Sequence, residues 1–265
     1  MSQTTVVGVP LPSPVAGVTP REVERRFFVS MAYVCALVAI VGFIPSYWAP
    51  LASGTFGRAP IVHLHGLLFS AWPVLFIIQA RLALAGRSEH HRAVGFAGIS
   101  LATAMLFAGV AVSIHSLDAG ISGGYETQSR AFAIVPLSIV LLFAGLVAAA
   151  IANVRRPAVH MRLMLTASIT MLPPAIARIL FILLAPEGLP APGLGAPPTV
   201  AFALGPSFLA NGLLIVAMIH DWRKHGSVHA AYVKAAIVIV VVQIARIPFS
   251  ASTTWHAITN WLLSF

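Results

Sequence analysis

Residues 62–80 read VHLHGLLFSAWPVLFIIQA. The run is long enough to cross a bilayer, because a spanning helix needs about 20 mostly apolar residues. Yet it opens with His63 and His65 and ends near Gln79. Polar side chains are costly in hydrocarbon and usually serve a function or meet a polar partner. The stretch therefore predicts a membrane helix whose polar groups have a specific role.

The composition extends this prediction to the whole chain. Of 265 residues, 58% are hydrophobic and 9% are charged, whereas soluble domains average about 25% charged residues. We therefore predict an all-α polytopic membrane protein. The net charge of +9 does not indicate nucleic-acid binding, because the basic residues form short clusters between apolar runs. The single cysteine, Cys35, excludes an intrachain disulfide and a multi-thiolate metal site.

The apolar runs predict seven spans of about 20 residues each. Twelve of the sixteen basic residues lie before the first run or around the second, fourth and sixth connections. By the positive-inside rule, the N-terminus is predicted in the cytoplasm and the C-terminus outside. The predicted spans are 27–48, 60–83, 94–116, 131–153, 160–184, 200–220 and 231–250.

The two termini are predicted to lie outside the bundle of residues 20–250. Residues 1–19 contain several prolines and lack the basic start of a signal peptide, so we predict a disordered tail. Residues 251–265 are too short for another span. Their Trp255 and Trp261 predict a short interfacial helix on the outer surface.

Two arginines stand apart from the basic clusters. Arg178 and Arg246 fall in the outer parts of spans five and seven, whereas every acidic residue is predicted outside the apolar runs. A carboxylate-based proton pump is therefore not indicated. The arginines could hold an anion, such as a haem propionate, a lipid phosphate or a quinone oxygen. Alternatively, they bond helix-end carbonyls and extend towards the headgroups.

The predicted topology sorts the histidines into two layers. The outer layer contains His63, His65 and His115, and the cytoplasmic layer contains His91 and His160. Residues two apart on a helix point about 200° apart, so His63 and His65 cannot both face inward within one helix. The inward candidate is His65, because His65, Trp72 and Gln79 recur every seven residues. In span five, His160 and Arg178 share a face that a kink at Pro173-Pro174 should interrupt.

Several segments carry a resemblance to a group of uncharacterised bacterial multi-span membrane proteins: HLHGLLFSAWPVLFIIQARLALAGRSEHHRAVG, HMRLMLTASITMLPPAIAR and RIPFSASTTWHAI. The resemblance implies a bacterial inner-membrane location and names no activity. The matching positions are His65 and Gly66; His91, Arg92 and Gly95; His160, Arg162, Leu163 and Met164; and Arg246, Pro248, Ser250, Thr253 and Trp255.

A weaker similarity is to the ascorbate-reducible transmembrane cytochrome b family. That similarity implies haems held by histidine pairs near each membrane face. His91 and His160 would suit the cytoplasmic haem. Span four contains no histidine, so an outer haem would need His65 and His115 from adjacent spans.

These features leave three functional hypotheses. The first is a redox membrane protein that binds haem b or copper through His91 and His160, with an outer site at His65 and His115 that His63 could join. In this hypothesis Arg178 or Arg246 pairs with propionates or a quinone, since imidazoles suit haem iron and borderline metals.

The second hypothesis is a zinc-dependent lipid hydrolase that uses His63, His65, His115 and Asp118. The third is a cofactor-free transporter or subunit of a membrane complex. In that case the histidines and arginines only pack or contact lipid.

Overall fold

A computed structural model describes residues 20–184 and 195–264 of the chain. Within these ranges the regular structure is entirely helical. The predicted tail of residues 1–19 lies outside the described residues. A π-helical turn, Ile44–Trp48, joins the first two helices, and a short 3-10 turn, Ala201–Ala203, precedes the ninth. The α-helices are α1 (Pro20–Phe43), α2 (Ala49–Ala52), α3 (Pro60–Leu84), α4 (Ser88–Ser122), α5 (Glu126–Phe132), α6 (Ile134–Ala152), α7 (Pro157–Thr170), α8 (Pro173–Leu184), α9 (Leu204–His225), α10 (Ala230–Ser250) and α11 (Thr253–Leu262).

Among the described residues, seven helical segments are long and apolar enough to cross a membrane, which confirms the predicted all-α, seven-span architecture. The chain is therefore a multi-pass membrane protein. Many large apolar side chains point outward, as expected where a bundle is surrounded by lipid. The spans are Glu22–Ala52, Pro60–Leu84, Ser88–Ser122, Glu126–Ala152, Pro157–Leu184, Ala201–His225 and Ala230–Ser250.

The fifth span is broken where the proline pair predicts it. Helix α7 ends at Thr170 and α8 begins at Pro173. Proline lacks an N–H group and its ring clashes with the preceding turn, so Pro173 suits the start of a helix and disfavours an unbroken one through the span. The break lets the two halves of the span pack in different directions, with α7 against α6 and α8 against α1.

The core of the bundle combines bulky residues with small ones. Trp72 of α3 packs edge-to-face on Phe143 of α6 and donates a hydrogen bond to Ser168 Oγ at 3.2 Å. Alanines such as Ala167 and Ala210 are fully buried between the helices. Small residues at helix contacts let backbones approach closely, which is how helices associate in a membrane.

The C-terminal helix α11 is anchored more firmly than a purely interfacial helix would be. Trp255 is only 5% exposed, and its indole N–H donates to the Arg130 carbonyl at 2.7 Å. The Arg130 guanidinium in turn donates to Asn260 Oδ1 at 2.7 Å. Residues six apart point about 120° apart on a helix, so Trp255 and Trp261 cannot share a face. Trp255 therefore packs against the bundle, whereas Trp261, on another face of the helix, is exposed.

The crossing of α1 and α8 gives a testable prediction about packing. A Cβ atom added at Gly42 would lie 2.5 Å from the Ala175 carbonyl oxygen, a backbone atom that cannot move aside. We expect Gly42→Ala to lower the free energy of unfolding by about 1–3 kcal/mol through overpacking. Thermal unfolding in detergent measures this loss.

Gly212→Ala is the matched control, because a Cβ at Gly212 would meet nothing within 4 Å. Equal melting temperatures for the two variants would contradict the close approach of α1 and α8.

Candidate functional site

The chemically richest region is one end of the bundle, which we call the basic end. It is the end where α1 begins and where short connections join α3 to α4, α6 to α7 and α9 to α10. Two groups of polar side chains meet the bundle there. One is a pair of histidines, His91 and His160, and the other is a buried ionic cluster around Arg162.

The two histidines come from separate helices and face each other. His91 lies in the first turn of α4 and His160 in the first turn of α7. Their ring centroids are 6.2 Å apart, and the ring planes are nearly perpendicular at 82°. The structure therefore brings together the pair that the sequence predicted as the cytoplasmic ligands.

Hydrogen bonds to backbone carbonyls fix the orientation of both rings. His91 Nδ1 lies 3.3 Å from the Gln79 carbonyl oxygen, and the Gln79 side chain donates back to the His91 carbonyl at 3.1 Å. His160 Nδ1 lies 2.9 Å from the Ala150 carbonyl oxygen. A carbonyl oxygen only accepts hydrogen bonds, so each Nδ1 carries the proton and each neutral ring keeps its lone pair on Nε2. Metal-binding histidines are commonly held in this way.

The spacing of the pair suits a metal bound from two sides. Metal–imidazole bonds are about 2.0–2.1 Å long, and the ring centre lies about 1.1 Å beyond the nitrogen, so two rings sharing one metal have centroids roughly 6 Å apart. The observed 6.2 Å agrees with that distance. Two neutral imidazoles are also an ordinary donor set for haem iron or copper. His91 and His160 are therefore the residues that would hold either group.

The predicted outer histidines do not converge in the same way. His65 is half-buried against Phe69, and its buried Nδ1 has no hydrogen-bond partner among the described residues. His63 lies edge-on to Phe56, and His115 is half-buried on α4. The ligand atoms of these three histidines do not form a group within 4.8 Å of one another. The structure thus does not assemble the trio expected for a zinc hydrolase.

The two isolated arginines bond backbone carbonyls and hydroxyl groups. Arg178 donates to Ser46 Oγ at 3.0 Å and to the Pro174 carbonyl at 2.9 Å, and it lies over the Phe43 ring. In the part of the chain that the structure describes, it forms no ion pair with a carboxylate.

Arg246 is more deeply buried, with 3% of its surface exposed. One of its terminal nitrogens donates to the Ala203 carbonyl and to Ser207 Oγ, each at 3.0 Å. Its Nε atom is buried without a partner among the described residues. Both arginines therefore bond backbone carbonyls, as one alternative expected. Arg246, however, does not extend to the surface.

The second group at the basic end was not expected from the sequence. Arg162, one of the basic residues around the fourth connection, is only 2% exposed. Its Nε donates to Asp221 Oδ2 at 3.0 Å, and a terminal nitrogen donates to Asp221 Oδ1 and to Glu24 Oε1. Asp221 also accepts the backbone N–H of His229 at 2.9 Å. We call Arg162, Asp221 and Glu24 the ionic cluster.

The ionic cluster ties together helices that are far apart in sequence. Glu24 belongs to α1, Arg162 to α7 and Asp221 to α9, and the Tyr232 ring of α10 lies 5.8 Å from the guanidinium carbon. The one sequence signal for it was the His160-x-Arg162 spacing. If His160 faces one neighbouring helix, a residue two positions later faces another.

The carboxylates of the ionic cluster could in principle hold a metal ion with His225, because the three ligand atoms lie within 4.8 Å of one another. However, Glu24 already pairs with Arg162 and with Lys224, whose Nζ lies 3.1 Å from Glu24 Oε2. Asp221 is bonded to Arg162 through both oxygens. The charges are thus balanced by basic side chains, which makes this an ion-pair network rather than a cation site.

Replacing Arg162 tests how much the ionic cluster contributes to the stability of the protein. Breaking a buried ion pair by deleting one partner costs about 3–5 kcal/mol, because the other charge stays buried and unpaired. We therefore expect Arg162→Ala to destabilise the protein by that amount. Chemical or thermal unfolding in detergent is the measurement.

Arg26→Ala is the matched control, since Arg26 pairs with Glu22 on an exposed helix face. Exposed pairs contribute about 0–1 kcal/mol. A loss of stability in Arg162→Ala no larger than in Arg26→Ala would refute a structural role for the ionic cluster.

Comparison with known protein families, with curated proteins and with solved structures finds no match to this chain. The residues themselves therefore carry the functional argument. They define an all-helical multi-pass membrane protein with a facing histidine pair and a buried ionic cluster at one end of its bundle.

Proposed function

We propose that the protein is an integral membrane redox protein that binds one redox metal between His91 and His160, either the iron of haem b or a copper ion. The basic end, and with it this site, would face the cytoplasm of a bacterial inner membrane. The bias of basic residues towards that end supports this orientation.

One observation carries the proposal. The two rings belong to different spans, lie 6.2 Å apart and each have Nδ1 directed at a backbone carbonyl. If the two histidines only filled space between helices, nothing would require both rings to direct Nδ1 at a carbonyl. Here the bonds to Nδ1 leave the Nε2 lone pair of each ring available to a metal, as ligation requires.

When bound, a metal with two imidazole ligands supplies reversible one-electron chemistry. The protein's own residues determine how firmly the two ligands are held. Gln79 bonds His91 through both its main chain and its side chain. The ionic cluster holds the start of α7, two residues from His160, against α1 and α9. Such outer bonds fix ring orientation and raise ligand basicity.

The site is less compatible with the two competing functions. A zinc hydrolase needs several histidines and an acid around one metal, and His63, His65 and His115 do not converge. A cofactor-free transporter or complex subunit would use His91 and His160 only for packing. That alternative predicts a colourless, metal-free protein, and the following experiment distinguishes it from the proposed redox protein.

We expect purified protein in detergent to contain one haem b or one copper per chain. Haem would give an absorption band in the α region that sharpens on reduction with dithionite, and elemental analysis would detect copper. His91→Ala and His160→Ala should each reduce the bound metal at least about ten-fold, because even the loss of a residue that only orients a metal ligand typically costs about 10–100-fold in affinity.

His90→Ala is the matched control, since His90 neighbours His91 but is exposed. It should retain the metal of the wild-type protein. A wild-type protein expressed with haem precursor and copper that nevertheless contains neither would refute the proposal. So would His91→Ala and His160→Ala variants with undiminished metal.

A further inference from the structure

A long groove lies on the lipid-facing side of the bundle between α6 and α10, with α7 as its floor. It consists of two adjoining cavities of about 720 and 540 Å³, and Ser138 and Val242 line both. The larger cavity reaches the basic end, and the smaller one reaches Arg246 near the opposite end. The groove is separate from the His91–His160 pair, neither of which lines it.

The walls of the larger cavity are apolar along the span. Leu141, Leu142 and Leu146 of α6 face Val238 and Val242 of α10. Between Leu142 and Leu146, Gly145 leaves open space, because a Cβ atom there would meet nothing within 4 Å. The groove is therefore shaped for a hydrocarbon chain rather than for a polar solute.

The mouth of this cavity at the basic end is positively charged. Arg156 and Lys234 line it, both exposed, and neither forms an ion pair with any described carboxylate. His229 and Asn153 lie beside them. The His229 Nδ1 atom accepts the Ala231 backbone N–H at 3.1 Å, so a neutral ring carries its proton on Nε2 as a donor. Burial, together with the charge of Arg162, lowers the pKa of His229 and so favours the neutral ring.

The length of the cavity matches one leaflet. Ala231 and Val242 line its two ends and are eleven residues apart on α10, which corresponds to about 16 Å at 1.5 Å per residue. Half of a hydrocarbon core of about 30 Å is about 15 Å. A molecule with its anionic group at Arg156 and Lys234 would therefore extend an acyl chain to the middle of the membrane.

We propose that the larger cavity is a specific site for one anionic phospholipid, with its phosphate at Arg156 and Lys234 and an acyl chain beside Gly145. Charge complementarity at the mouth selects an anionic over a zwitterionic headgroup. Each basic side chain near the headgroup should favour the anionic lipid about five-fold, since such a contact contributes about 1 kcal/mol.

Native mass spectrometry of protein released from mixed micelles tests the site. The micelles contain equal amounts of phosphatidylglycerol and phosphatidylcholine with matched acyl chains. We expect wild-type protein to retain one phosphatidylglycerol, with at least a five-fold preference over phosphatidylcholine. Arg156→Gln combined with Lys234→Gln should abolish this preference, whereas Gly145→Leu should prevent retention of either lipid by filling the groove.

Gly212→Leu is the control for Gly145→Leu, because Gly212 also has open space around it but does not line the groove. It should retain lipid as the wild-type protein does. A third arm adds inorganic phosphate at millimolar concentration. If added phosphate abolishes the protein's preference for phosphatidylglycerol over phosphatidylcholine, the mouth recognises phosphate without the acyl chain. That result would overturn the proposed phospholipid site.

Two other outcomes would also overturn the site: no headgroup preference in the wild-type protein, or equal lipid retention by Gly145→Leu and Gly212→Leu. Neither bears on the histidine pair, whose metal content is measured separately.

Discussion

A guanidinium buried among four membrane helices is the constraint on which the basic end of this protein depends. Arg162 lies almost wholly out of water, and a charge in that position is stable only with close counter-charges and full hydrogen bonding. Asp221 and Glu24 supply the charges, and the Ala158 carbonyl accepts a further hydrogen bond at 2.8 Å. Satisfying one side chain therefore fixes the positions of α1, α7 and α9 relative to one another.

The histidine pair depends on that arrangement. His160 lies two residues before Arg162 on α7, so it faces a different neighbour and is directed towards α6 and α4. At the basic end, one face of α7 therefore carries Arg162 of the ionic cluster, and another face carries His160. The groove between α6 and α10 contacts a third part of α7, where Val159 and Leu163 form its floor. One short, firmly held helix thereby connects the three features.

Hydropathy and charge were sufficient to predict the seven spans and the break at Pro173, and they placed His91 and His160 in one layer. The pairing of these two histidines was suggested only by the resemblance to transmembrane cytochromes b. Neither source predicted the burial of Arg162, because charged residues near the end of an apolar run are normally solvated. Whether such a residue is buried depends on partners 59 and 138 positions away in the chain. The burial of Trp255 was not predicted for a similar reason, since its indole is held by the distant Arg130 carbonyl.

The central claim is that His91 and His160 ligate the same metal. Electron paramagnetic resonance of the oxidised protein, with its histidines labelled with ¹⁵N, tests this claim most directly, because ferric haem and cupric copper are both paramagnetic. If the claim is right and both histidines ligate the metal, the wild-type spectrum shows hyperfine couplings from two imidazole nitrogens, and His91→Ala and His160→Ala each weaken the metal signal at least about ten-fold and leave coupling to one imidazole in the remainder. A spectrum without a paramagnetic metal, or one that neither substitution changes, would contradict it.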